Sequence, residues 1–194
     1  MPRKQPNPEF PVTVLCDTRE QLPFVFDGIT ADIETPDGQW RTPYAFADVP
    51  ADQEHGGGAW RVRTERVGLA SGDYSLDGYA TAVAVERKSL NDLFHTLGQG
   101  RARFLRELER LSEYTFAAVV VEREWSDIFT RPPAHSRLSP KSVYRSVLAW
   151  QQRFTRVHWV MCPSRDFAEV TTFRILERFV KEQAENSFRK PKVT

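Results

Sequence analysis

The stretch Val83-Ala84-Val85-Glu86-Arg87-Lys88 constrains this chain more than any other. Its apolar start reads as a central strand buried on both faces, yet it ends in three adjacent charges. Alternation along the strand sends Glu86 and Lys88 to one face and Arg87 to the other. Gly72-Asp73-Tyr74 precedes it by the length of a short hairpin, with Asp77-Gly78 at the turn. That pairing brings Asp73 towards Glu86. Two carboxylates suit a hard divalent cation. A lysine on the same face can orient a water or stabilise charge developing on a phosphorane. These are the parts needed to cut a phosphodiester. Glu-x-Lys pairs also occur in solvated clusters on exposed strands, but the apolar run before Glu86 argues against that reading here.

The chain has 194 residues, the size of one domain, and its 40% hydrophobic and 12% aromatic content suffices for a core. It has no apolar run long enough for a membrane span. The Pro-rich start lacks the apolar stretch of a signal peptide. Cys16 and Cys162 each end an apolar run and read as reduced core residues, which fits a cytoplasmic protein, or a nucleoid-associated one in a prokaryote or phage. No Cys/His spacing suggests zinc. The net charge of +1 hides an asymmetry: residues 1–60 carry four Lys/Arg and ten Asp/Glu, whereas residues 61–194 carry 23 and 16. A basic field around the charged strand end suits an anionic ligand.

Residues 1–10 read as a disordered leader and 188–194 as a basic tail, leaving one domain over 11–187. Val12–Cys16 is a first strand leading to Asp17-Thr18-Arg19-Glu20. Residues 27–59 form an acidic insertion rich in Gly, Pro and Asp, expected to be a mobile flap beside the site, with a hairpin arm near Trp40–Phe46. Trp60–Val67 alternates as a half-exposed strand. Ser89-Leu90-Asn91-Asp92 matches a capping box that opens a helix, broken at Gly98 and Gly100. Helix resumes over 101–112. Phe116–Val121 is a buried strand. Ser139-Pro140 starts a helix running to Phe154, and Val157–Cys162 is a further strand. The last helix, 165–185, has apolar positions on more than one stripe, which suggests a homodimer or a wide core contact. Strands followed by alternating strands and helices predict an α/β fold, a mixed central sheet flanked by helices.

Gly72-Asp73, Glu86-Arg87-Lys88 and Asp92 together resemble the Gly-Asp-x(n)-Glu-Arg-Lys-x-x-x-Asp signature of the XPF/MUS-type endonucleases. Asp17-Thr18-Arg19-Glu20 is similar to that family's Asp-x-Arg-Glu strand end, and Gly100-Arg101 to its Gly-Arg helix start. The likeness is closest over about residues 12–121. It implies a restriction-endonuclease-like fold and structure-selective cleavage of branched, flap or forked DNA with magnesium or manganese, in repair or recombination. It implies that Asp73 and Glu86 bind the metal, that Asp17 is a ligand or its close neighbour, and that Lys88 supports the attacking water. Arg87, Arg101 and Arg19 become candidate DNA contacts, with Glu20 and Asp92 in support. The sequence departs from the family at Leu105, where Gln is common, and in its large acidic insertion. It is also expected to lack the helix-hairpin-helix module, so a second copy or a partner would supply DNA-binding elements. Two alternatives remain open: a non-catalytic DNA-binding scaffold, and an RNA-processing nuclease on the same fold.

Overall fold

The computed structural model describes residues 12–27, 29–31, 33–34, 40–41 and 60–189. In chain order the strands and helices are β1 (Val14–Asp17), β2 (Thr30–Ala31), β3 (Ile33–Glu34), β4 (Trp40–Arg41), β5 (Trp60–Arg61), β6 (Thr64–Val67), β7 (Tyr74–Leu76), β8 (Val83–Lys88), α1 (Leu90–Leu97), α2 (Arg101–Leu111), β9 (Phe116–Val121), α3 (Trp125–Thr130), α4 (Pro140–Arg153), β10 (Val157–Met161) and α5 (Arg165–Arg189). Six strands form one sheet in the order β10-β9-β8-β7-β1-β6. β8, β9 and β10 run parallel, and β7 is antiparallel to both β8 and β1. The C-terminal ends of β1, β8, β9 and β10 therefore share one edge of the sheet, where β7 begins. This is the expected mixed α/β sheet flanked by helices.

Alternation on β8 sorts the core into two layers. Val83 and Val85 pack with Phe173, Leu176 and Phe179 of α5, whereas Ala84 packs with Leu93, Leu108 and Val147 of the opposite helices. Glu86 and Lys88 continue the Ala84 row, and Arg87 continues the Val85 row. Ala168, Phe173, Leu176 and Phe179 of α5 are buried against the sheet, so these four serve the core rather than a partner chain. Cys16 and Cys162 are buried free thiols. No helix among the described residues is long and apolar enough to cross a membrane.

Gly72 has φ 78°, and a Cβ there would meet the Ala84 Cβ at 3.1 Å and the Val85 carbonyl oxygen at 3.3 Å. Only glycine lets the chain enter β7 this close to β8. Ser89 Oγ accepts from the Asp92 N–H at 3.2 Å, and Ser139 Oγ from the Ser142 N–H at 3.2 Å, so both predicted helix starts are capped as read. Three expectations change. Trp60–Val67 divides into β5 and β6, because β5 pairs with β2 while β6 joins the main sheet beside β1. The helix α3 had no sequence cue, being six residues long with no side-chain cap at Glu124. The last helix runs past its expected end at 185, since α5 reaches Arg189. The leader, most of the insertion with its proposed flap, and residues 190–194 lie outside the described residues.

Candidate active site

Three neighbouring strands bring the acidic residues together. The Asp17 N–H donates to the Asp73 carbonyl at 2.8 Å, and the Asp73 N–H donates to the Val85 carbonyl at 2.9 Å. Tyr74 packs into the α5-side core, so Asp73, one residue earlier, turns to the opposite face with Glu86 and Lys88. Asp73 Oδ2 accepts from the Arg87 N–H at 2.7 Å, which ties the carboxylate to the end of β8. Glu86 is 5% and Lys88 9% exposed. The Lys88 ammonium donates to Glu86 Oε1 and lies 4.8 Å from the centroid of the Phe104 ring.

Burial and then the charge of Glu86 push the Asp73 carboxyl well above its ordinary range, although Lys88 pulls it down. Burial also raises Glu86, against the pull of Lys88 and with a further push from Glu107. Burial disfavours the Lys88 ammonium, but Glu86 and Asp73 outweigh it and raise the lysine. The cluster thus holds more carboxylates than its single ammonium balances. Among the described residues no three His, Cys, Asp or Glu side chains are gathered into a ready metal cluster. Asp73 and Glu86 nonetheless fit magnesium or manganese by chemistry: they are oxygen donors whose mutual repulsion a divalent cation would relieve. Magnesium usually takes one or two carboxylates and keeps several waters.

Asp17, expected as a metal ligand or its close neighbour, has both oxygens engaged within the chain. Its Oδ1 accepts from the Arg19 N–H at 2.7 Å and Nε at 2.8 Å, and its Oδ2 from Arg19 Nη2 and the Leu69 N–H, both at 2.8 Å. Those four donors occupy the lone-pair sites a metal would use. They hold its pKa down at about 2, the Arg19 side chain contributing most. Asp17 therefore anchors the end of β1 to the Leu69 loop. The Arg19 side chain remains 71% exposed, so it keeps a solvent-facing side for an anionic ligand.

Arg87, a candidate DNA contact, is enclosed within the protein. Its side chain is 8% exposed, its Nε donates to Glu122 Oε1 at 2.6 Å and its Nη1 to Glu20 Oε1 at 3.2 Å. It lies on the α5 side of the sheet over Phe24, 5.4 Å from the ring centroid. Glu20 belongs to this same network, and its Oε1 also accepts from the Leu22 N–H at 2.7 Å. Asp92 is engaged in the capping box, where Ser89 Oγ donates to its Oδ2 at 2.6 Å. Arg101 is exposed, donates to Ser146 Oγ at 2.8 Å and stacks 4.6 Å from the Trp150 centroid, so it links α2 to α4.

Two residues escaped sequence reasoning. Glu107 acts on Glu86 from α2. Its only cue is its place three residues after Phe104, beside the inward stripe of that helix. Glu122, just past β9, is 6% exposed and accepts from both Arg87 and Arg165. In sequence it looks like an ordinary charge at a strand end.

The mixed α/β sheet thus carries two carboxylates and a buried lysine at one edge. Residues 53–173 match the ERCC4 domain, and the chain belongs to that family of nuclease domains. No curated protein matches the chain. Among solved structures it is similar to XPF from Aeropyrum pernix in complex with DNA, at 24% identity and a TM-score of 0.45, over 63% of this chain and 55% of that one. It is also similar to another structure of XPF from Aeropyrum pernix, at 22% identity and a TM-score of 0.45, over 66% of this chain and 55% of that one. The chain thus spans about 55% of the length of these solved chains.

Proposed function

We propose that this chain is a magnesium- or manganese-dependent endodeoxyribonuclease acting on branched, flap or forked DNA. The observation that carries the proposal is the pair of inward carboxylates, Asp73 and Glu86, both pushed above their ordinary range beside a buried Lys88. Membership in the ERCC4 family supports nuclease chemistry. The excess of Lys/Arg over residues 61–194 supports a polyanionic substrate.

Asp73 and Glu86 would hold the cation, which supplies Lewis acidity towards a phosphate oxygen and a lower pKa for an attacking water. Glu86 and Asp73 favour the Lys88 ammonium, which places a positive charge where it can orient the attacking water or share its proton. It can also stabilise the negative charge that builds on the phosphoryl oxygens. Hydrolysis forms one P–O bond to the water oxygen and breaks one to a sugar oxygen. Arg19, exposed beside the cluster, is suited to a backbone phosphate, a contact that positions DNA without reading its bases.

The test is a substrate panel of single-stranded, duplex, flap, fork and junction DNA, with matching RNA, each with and without magnesium. Magnesium-dependent cutting of branched DNA is expected. Preference for RNA would assign the RNA-processing alternative, and binding without cutting would assign the scaffold.

A further inference from the structure

Beyond the metal site, the same edge of the sheet carries a group of exposed rings. β9 ends there, α3 follows it, and α4 begins close by. Tyr144 of α4 meets Trp125 of α3 edge-on at 5.1 Å between centroids and Phe129 at 5.9 Å. Phe129 is 49% and Tyr144 38% exposed, so the cluster keeps open ring surface instead of sinking into the core. Lys141 precedes Tyr144 by one helical turn, Arg145 follows it, and both are exposed. Arg131, just past α3, pairs with Asp127 at 3.8 Å, yet its side chain stays 81% exposed. Residues 131–156 contain six Lys/Arg and no Asp/Glu.

We propose that Phe129 and Tyr144, braced by Trp125, form a stacking platform for unpaired bases of a DNA arm entering the active site. The proposal rests on the DNA nuclease reading above and names the part of the substrate that this surface recognises. Every base offers a π-face, so aromatic rings bind single strands without reading sequence, and neighbouring cations hold the backbone. A fully paired duplex hides those faces, so such a platform would distinguish branched from continuous DNA. A second copy of this chain is the poorer occupant. A two-fold contact through the patch would set Lys141, Arg145 and Arg131 against their own like charges.

The experiment uses the full chain in EDTA, so that nothing is cut, and measures fluorescence anisotropy with blunt duplex and with the same duplex carrying a thymidine arm of about 12 nucleotides. Wild type should prefer the armed duplex, and oligothymidylate should quench tryptophan fluorescence. In the Phe129→Ala/Tyr144→Ala variant the armed-over-blunt preference should fall by about tenfold or more, on the scale of losing one or two stacked bases. Tyr144→Phe should restore most of the preference, because the ring is kept. Far-UV circular dichroism verifies the fold, and Lys141→Gln, which removes no ring, should lower the salt slope of arm binding by about one. An unchanged preference in the double variant would overturn the proposal. So would a shift from dimer to monomer with arm binding intact, which would make the patch a self-association surface. If wild type binds arms through these rings but cuts no DNA with magnesium, the nuclease reading fails and the platform stands. If it cuts branched DNA without needing the rings, only the platform fails.

Discussion

Asp73 and Glu86 sit in one cluster, but losing their charges has opposite consequences for the fold. Asp73 is repelled by Glu86 and raised by burial. A carboxyl whose folded pKa is raised binds more protons in the native state, so it lowers stability as pH rises through that value. Asp73→Asn removes this penalty and keeps an acceptor for the Arg87 N–H. We expect it to abolish cleavage while raising the thermal midpoint of the metal-free protein by a few degrees, about 1 kcal/mol in a domain of this size. Calorimetric melts in EDTA check this. Glu86→Gln instead leaves the buried Lys88 ammonium without its carboxylate partner and should destabilise by about 3–5 kcal/mol. Lys88→Ala should slow cleavage by roughly 10²-fold or more with metal binding retained, measured by single-turnover kinetics beside a metal titration. For Asp17 the sign is reversed. Its folded pKa is about 2 against an ordinary 3.8, so its contribution is present above the ordinary value and is lost as pH falls towards 2. Solvent screening at the exposed Arg19 limits that contribution to about 1 kcal/mol. The stability gap between wild type and Asp17→Asn should therefore be full at pH 7 and close in acid, as followed by urea unfolding at several pH values.

Among the elements, β8 joins the two layers: Glu86 and Lys88 reach the carboxylate cluster and Arg87 reaches the α5 side. There Glu122 accepts from Arg87 at 2.6 Å and from Arg165 at 2.8 Å, and Arg165 also donates to the Leu22 carbonyl at 2.7 Å. This network joins the ends of β8 and β9 to the start of α5 and to the segment after β1. Glu122→Gln should cost about 3 kcal/mol, because it leaves the buried Arg87 guanidinium with Glu20 as its one remaining carboxylate partner. A drop in urea midpoint with metal affinity preserved checks it. This network also marks where sequence reasoning stops. The apolar run of β8, the hairpin at Asp77-Gly78 and the Ser89 cap are written in local patterns, so their elements were legible. Period-two alternation correctly placed Arg87 opposite Glu86. It could not show that two acids from distant segments would enclose the guanidinium. Glu107 was hidden for the same reason, since its approach to Glu86 depends on how α2 crosses the sheet.

At the scale of the molecule, the topology gathers the candidate site at one edge. The parallel strands β8, β9 and β10 and the parallel β1 all end there, which puts the carboxylates, Lys88 and the loops after those strands on a common side. That convergence was legible only in part: the motif named Asp73, Glu86 and Lys88, while Asp17 shared the edge but spent its oxygens on Arg19 and Leu69. The central claim is that Asp73 and Glu86 hold the cation that cleavage requires. It is tested most directly by measuring manganese binding calorimetrically and forked-DNA cleavage on the same preparations of wild type and Asp73→Asn. Wild type should bind the ion and cut only when it is present, and Asp73→Asn should lose both while staying folded. Wild-type cleavage that persists in EDTA, or a variant that keeps both binding and turnover, would contradict the claim.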